Sequence, residues 1–248
     1  MIPKTIHYCW FGRNPKPELA EKCIRSWKKY CPDYEIIEWN EDNFDISAAP
    51  LYVRQAYDAK KWGFVPDYIR LWLVYNYGGI YLDTDVEIIR PLDDLLELQA
   101  FAGFEDGKHV AFGLGFGAEK GNRILKLLMD SYDTLDFYNA DGSLNLIPSP
   151  QLNTKVLIEA GLQCNNTMQN LEGMTIFPME YFCPLEFDIG KLNKTKNTYT
   201  IHWFAASWWS EQQRKEHKVM QRKTRFFRFV TGIIGEKAYH KIKRLLKH

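Results

Sequence analysis

The stretch Asp67-Tyr68-Ile69-Arg70-Leu71-Trp72-Leu73-Val74-Tyr75-Asn76-Tyr77-Gly78-Gly79-Ile80-Tyr81-Leu82-Asp83-Thr84-Asp85 decides the fold. Pro66 suits the first turn of a helix, and Gly78-Gly79 ends that helix with residues that accept left-handed backbone. Ile80 to Ile89 then reads as a strand, closed by Pro91. On a strand, Asp83 and Asp85 point to one side while Thr84 points away. Two carboxylates converging at a strand end suit a hard divalent cation, Mn²⁺ or Mg²⁺, which takes oxygen ligands and leaves positions for phosphate oxygens. Open α/β sheets also bind nucleotides at strand ends. A bare Asp-x-Asp equally describes a solvated turn, so its setting carries the argument. Asp67 and Arg70 stand at i,i+3 on one helix face. They are either a surface ion pair worth a few tenths of a kcal/mol or hydrogen-bonding groups presented to a polyhydroxylated ligand.

Outward from this stretch, strands and helices alternate. Thr5 to Phe11 reads as a strand, Pro17 to Pro32 brackets a helix, and Tyr34 to Trp39 is the next strand. A helix spans Leu51 to about Lys61. Beyond Pro91, Phe101–Phe104 and Val110–Phe116 are strand-like, Asn122 to Tyr132 is helical, and a short helix follows Pro150. Met174–Phe177 and Tyr199–Phe204 are later strands, and from Ser210 onward the pattern is helical. This predicts an α/β fold, Rossmann-like, with a mostly parallel central sheet flanked by helices. Gly113-Leu114-Gly115-Phe116-Gly117 lacks the spacing of a dinucleotide fingerprint and reads as a glycine-rich strand or loop near the ligand.

Composition and charge add a second division. The 248 residues are 46% hydrophobic and 25% charged, which excludes disordered, collagen-like and disulfide-scaffold classes. The formal net charge is +1, but residues 214–248 hold 12 Lys/Arg and 2 Asp/Glu, against 20 and 29 in residues 1–213. The expected organisation is therefore an acidic domain over 1–213 and a basic amphipathic helical tail over 214–248. Met1 to His7 lacks the apolar run of a signal peptide, and no stretch is long enough to span a bilayer. Cys9, Cys23, Cys31, Cys164 and Cys183 read as reduced, mostly packed thiols of a cytoplasmic protein.

Asp-x-x-Arg followed by Tyr-Gly-Gly-Ile-Tyr-x-Asp-x-Asp resembles the signature of glycosyltransferase family 32, the DxD sugar transferases. That family includes bacterial capsular-polysaccharide transferases and the yeast initiating α-1,6-mannosyltransferase, with the large clostridial glucosylating toxins as distant relatives. Ile2-Pro3-Lys4-x-Ile6-His7-x-x-Trp10-x-Gly12, Ile176-Phe177-Pro178-x-Glu180-Tyr181-Phe182-x-Pro184 and His202-Trp203-x-x-x-Ser207-Trp208 are similar to further family blocks, in the right order. The resemblance implies a GT-A nucleotide-sugar transferase fold and a metal-dependent enzyme that retains anomeric configuration. By the same resemblance, Trp10 would stack the nucleobase of the donor. Its alternative is an ordinary buried strand aromatic. Asp83, Asp85 and His202 would hold Mn²⁺ or Mg²⁺, although a lone strand histidine is also a common packing residue. Asp67, Arg70 and Asp83 would bind the nucleotide-sugar donor, UDP-sugar favoured, and Ser207 and Trp208 would reach its diphosphate. Asp67, Arg70 and Asp85 are the expected catalytic residues.

The implied reaction moves a sugar to a glycan acceptor carried on polyprenyl diphosphate, in bacterial capsule or O-antigen synthesis. A nucleotide-sugar hydrolase with the same donor site and a non-catalytic nucleotide- or lipid-binding module are the competing readings. In the tail, bases interleave with Phe226, Phe227, Phe229 and Ile233, with expected helix interruptions near Gly232 and Gly235. That pattern fits an anionic membrane surface, hence a peripheral position on the inner face of the cell membrane. A helix packed on the body and an RNA-binding tail are its alternatives; no nucleic-acid partner is expected.

Overall fold

A computed structural model describes residues 1–205 and 211–235. Two units are recognised, one of Met1–Leu185 with 193–205, the other of Glu186–Leu192 with the C-terminal helix.

In the first unit the order is β1 (Thr5–Cys9), α1 (Glu18–Tyr30), β2 (Glu35–Trp39), α2 (Leu51–Asp58), α3 (Pro66–Tyr77), β3 (Gly79–Tyr81), β4 (Val86–Ile88), β5 (Ala100–Phe104), β6 (Val110–Ala111) and β7 (Phe116–Ala118). Then come α4 (Arg123–Asp130), α5 (Ser149–Glu159), β8 (Gln169–Leu171) and β9 (Met174–Phe177). The chain then passes through β10 (Leu185–Glu186) and β11 (Lys191–Leu192), which from Glu186 onward belong to the second unit, and β12 (Thr200–His202) closes the first. The main sheet runs β2-β1-β3-β7-β5-β9-β8, with β6 on β5. β1 pairs parallel with β2 and β3, and β5 with β9, whereas β7 lies antiparallel between β3 and β5. The mostly parallel α/β sheet expected from the alternation is present. Its two faces carry separate apolar cores, as a sheet covered on both sides requires. Tyr81, Ala102, Phe104 and Phe116 face a layer containing α2 to α5. Ile6, Tyr8, Ile80 and Phe101 face α1 and β4.

α3 begins and ends as its sequence prescribes. Pro66 occupies its first turn, and Gly78 at φ +70 stops it while donating to Val74 O at 2.8 Å. Gly79 at φ +97 leaves no room for a side chain, since a Cβ would lie 2.8 Å from Thr5 O. The freed Gly78 carbonyl meets His7 Nε2 at 2.9 Å. Trp39 Nε1–H donates to His7 Nδ1 at 3.1 Å, so the histidine proton sits on Nε2 and points at Gly78. Burial lowers the His7 pKa, consistent with a neutral ring. His7 thus ties β1, β2 and the end of α3 together.

One strand expected from the sequence is two. The stretch 80–89 splits into β3, in the main sheet, and β4, which pairs antiparallel with β12 in a separate two-stranded sheet. The turn between them carries both aspartates, with Val86 N donating to Asp83 O at 3.0 Å. Similarly, 110–116 is not one strand: β6 and β7 flank the loop 112–115. α1 anchors β4. Fully buried Trp27 donates its indole N–H to Val86 O at 2.7 Å, and the Ser26 hydroxyl accepts from Ile88 N at 2.9 Å while donating to Cys23 O. All five cysteines are free thiols, and only Cys164 is exposed.

In the second unit, α6 (Glu211–Ile234) is continuous through Gly232, correcting the expected interruption there. It ends at Gly235, φ +79, whose amide donates to Thr231 O at 2.9 Å.

Candidate active site

Because β7 runs antiparallel between β3 and β5, the C-terminal ends of β1, β3 and β5 share one sheet edge. Trp10 follows β1, Asp83 lies two residues beyond β3, Glu105 follows β5, and the loop entering β7 arrives there too. The strand ends, the expected place for a nucleotide, therefore gather the candidate residues.

α3 contributes Asp67 and Arg70, which are 4% and 5% exposed, so they are not the surface ion pair that their spacing also allowed. The Arg70 guanidinium reaches Asp67 Oδ1 at 2.9 Å and Asp83 Oδ2 at 3.4 Å, and its Nε donates to Pro66 O at 3.1 Å. It also lies 5.4 Å from the centre of the Tyr81 ring, whose hydroxyl donates to Asp83 Oδ1 at 3.1 Å. Burial pushes the Asp67 carboxyl up to about 6, against the opposing pull of Arg70 and the Ser149 hydroxyl at the start of α5. Burial works against the Arg70 charge, but Asp83 and Asp67 outweigh it and keep the guanidinium ionised. Removing one partner of such a buried network costs about 3–5 kcal/mol, because the others are left charged and unpaired.

Gly113 closes this cluster. A Cβ there would overlap the Asp83 carboxylate and lie 2.7 Å from Arg70 Nη1. The Gly113 carbonyl also accepts from Asp83 N at 2.9 Å. The glycine-rich loop expected near the ligand therefore packs directly on the Asp-x-Asp turn.

Asp85 is held from the other side by the end of β12. Trp203 N donates to Asp85 O at 3.0 Å and Ala205 N to Asp85 Oδ2 at 2.8 Å. His202 Nε2 stands 3.4 Å from Asp85 Oδ1. Desolvation would raise the Asp85 pKa, but the His202 charge and the Ala205 amide take it below its usual value. For His202 desolvation pulls down, and the Asp85 charge carries the pKa well above that of a free imidazole. Asp83 shifts upward through desolvation, with Asp85 adding to the shift and Arg70 opposing it. Glu105 Oε1 lies 3.8 Å from His202 Nδ1, beyond hydrogen-bond reach, and desolvation raises its pKa.

Among the described residues no three Asp, Glu, His or Cys side chains form a ready-made metal-ligand group. The donor set nevertheless fits a hard dication. Asp83 and Asp85 offer carboxylate oxygens that repel one another, and His202 adds a nitrogen now engaged with Asp85. Trp10 is half-buried at the same sheet edge, its indole N–H donating to Asn14 O at 2.6 Å and Lys16 Nζ 5.7 Å from its ring. Ser207 and Trp208 lie outside the described residues.

Residues 17–102 match the family described as "Glycosyltransferase sugar-binding region containing DXD motif". Over these residues the chain is similar to that sugar-binding region. The matched stretch ends three residues before Glu105, and holds Asp67, Arg70, Asp83 and Asp85 but not His202. Inositol phosphoceramide mannosyltransferase 3 of Schizosaccharomyces pombe is 36% identical over 104 residues, 40% of this chain and 29% of that protein. Mannosyl phosphorylinositol ceramide synthase CSH1 of Saccharomyces cerevisiae is 33% identical over 109 residues, 41% of this chain and 27% of that protein. The matches thus span less than a third of the length of these curated relatives. The solved structure titled PaToxG Glycosyltransferase superposes with a TM-score of 0.50 at 19% identity, covering 64% of this chain and 69% of that one. That likeness shows a GT-A fold.

Several site residues escape sequence reasoning. Glu105 is the first polar residue after an apolar strand, the same signal that singles out Asp83, and was readable in principle. Asn153, 1% exposed on α5, has neither side-chain amide atom hydrogen-bonded, and the hydroxyls of Tyr52 and Tyr132 are also unpartnered. Both tyrosines feel the charges of Asp67 and Arg70. Only the folded chain brings the two tyrosines to the Asp67 side of the site.

Proposed function

We propose that the protein is a metal-dependent glycosyltransferase that moves a sugar from a nucleoside-diphosphate sugar to a lipid-linked glycan or lipid headgroup, with retention of anomeric configuration. The observation that carries this reading is the Arg70 guanidinium bridging Asp67 and Asp83. That bridge joins the sugar-facing helix pair to the Asp-x-Asp turn in a single desolvated cluster. Asp83, Asp85 and His202 are the residues to hold Mn²⁺ or Mg²⁺, which when bound neutralises the diphosphate as leaving group. Asp67 and Arg70 orient the donor sugar through its hydroxyls, and Asn153, one turn along α5 from the Ser149 that bonds Asp67, offers an unsatisfied buried amide. Trp10 presents an aromatic face for the base at the end of β1. The chain's own part in the chemistry is positioning and electrostatic stabilisation as the glycosidic bond lengthens. Attack by the acceptor on the face the leaving group vacates gives retention without a covalent enzyme intermediate. The relatives named for inositol phosphoceramide support a lipid-borne acceptor, and the sequence resemblance to capsule transferases supports a polyprenyl-linked one.

The test is release of nucleoside diphosphate from UDP- and GDP-sugars with Mn²⁺, with and without polyprenyl-linked or inositol-phosphate-lipid acceptors. Acceptor-dependent release that Asp85→Asn reduces by about 10²-fold or more supports the assignment. Release equally fast without any acceptor identifies a hydrolase instead, and activity unchanged in Asp85→Asn removes the metal role of that residue.

A further inference from the structure

The second unit, considered by itself, has a face with no internal partner. In α6 successive residues turn by about 100°, so His217, Gln221, Arg225 and Arg228 share one side. All four engage the segment Glu186–Leu192. His217 stacks on Phe187 with ring centres 4.2 Å apart, and Gln221 Nε2 donates to Phe187 O at 2.7 Å. Arg225 donates to the Ile189 carbonyl, and Arg228 pairs with Glu186 at 2.6 Å. The opposite side carries Val219, Phe226, Phe229 and Ile233. The last three are 63%, 68% and 68% exposed. Exposed Lys218 and Lys223 flank this stripe and exposed Arg222 lies within it, and none has an ion-pair partner among the described residues.

We infer that this outer face of α6 docks the protein on an anionic lipid surface, lying in the bilayer interface rather than crossing it. Large apolar side chains exposed in a line on a helix are costly in water and mark an interaction face. Val219, Phe226 and Ile233 follow a spacing of seven, which lays an apolar line along the helix at a single depth. Aliphatic and aromatic members are both accommodated by acyl chains, whereas nucleobases would stack only on the aromatic ones. The flanking bases stand at the level of lipid phosphates, where each strengthens association by about fivefold. Residues 236–248 add five Lys/Arg and one Glu to the same end of the chain. Among the described residues no helix is long and apolar enough to cross a membrane. A surface-bound helix would keep the protein where a lipid-linked acceptor is found, but the docking does not depend on the transfer chemistry.

The experiment is co-sedimentation of the full chain with phosphatidylcholine vesicles, with and without phosphatidylglycerol. Wild type, the triple variant Phe226→Ala/Phe229→Ala/Ile233→Ala and the pair Arg222→Glu/Lys223→Glu are compared, with helix content followed by circular dichroism. The expected result is binding to the anionic vesicles only, weakened about tenfold or more by either variant and by high salt. Wild type remaining in the supernatant with anionic vesicles overturns the inference. So do variants that retain helix content and pellet as wild type does, an RNA competitor that binds through the same residues more tightly than the vesicles, or self-association that the triple variant abolishes. Failure here leaves sugar transfer by the soluble enzyme intact, so the two readings fail separately.

Discussion

At the residue scale, Arg70 carries most of the site's electrostatic organisation. Its planar fork addresses two carboxylates and a carbonyl at once, which an ammonium cannot reproduce. Asp67 is the titrating member, with its carboxyl at about 6 because burial penalises its charge. Ionised Asp67 is the form that holds Arg70 and, in the proposed reaction, would accept from a sugar hydroxyl, so transfer is expected to fall as pH drops through about 6. A pH–rate profile checks this. Asp67→Asn should lower the rate at neutral pH and remove that limb, and a limb that persists unchanged in the variant assigns the group elsewhere. For stability the sign is opposite. A carboxyl raised in the folded state contributes stability below its unfolded pKa near 3.8, and that contribution is lost as pH rises through about 6. The fold tolerates ionised Asp67 at neutral pH because Arg70 and the Ser149 hydroxyl partner it.

At the element scale, α3 was legible and the strand after it was not. Pro66, the apolar pattern and Gly78-Gly79 encode helix, stop and turn locally, and the structure follows them. The apolar run Ile80 to Ile89 has the composition of a single strand, yet it changes sheets at the Asp-x-Asp turn. The cause lies outside the segment: β1 and β7 flank β3, whereas β12 and α1 capture β4. Ser26 and Trp27 on α1 therefore help to place Asp85. In Ser26→Ala the buried Ile88 amide loses its acceptor, at a cost of about 1–3 kcal/mol. Denaturant unfolding should show that loss, and Mn²⁺ affinity should weaken with it. A variant as stable as wild type would mean that water or a backbone shift replaces the hydroxyl.

At the scale of the whole molecule, the site is assembled from stretches spread along the chain: the end of β1, the α3–β3 region, the end of β5, the loop before β7, the start of α5 and the end of β12. Gly113 shows how tightly they meet, because the space a methyl would need is taken by Asp83 and Arg70. Gly113→Ala is expected to displace the Asp83 carboxylate, costing about 1–3 kcal/mol of stability. A misplacement of this kind should reduce transfer by about 10²-fold. Thermal melting together with kcat/KM measures both. Unchanged activity would show that the loop yields and does not buttress the turn.

By itself the sequence determined what is local or periodic: the α/β class, the limits of α3, the Asp-x-x-Arg and Asp-x-Asp pairs, and a basic C-terminal helix. Those follow from backbone preferences and side-chain spacing within a few residues. Tertiary structure alone decided that Asp67 and Arg70 are buried, that Arg70 joins Asp83 as well as Asp67, that Glu105 stands beside His202, and that Gly113 must lack a side chain. These depend on which strands lie next to one another, and strand order is chosen by packing over the whole chain. Burial then sets the charges, since the same carboxylate that titrates near 4 in water titrates near 6 once the fold encloses it.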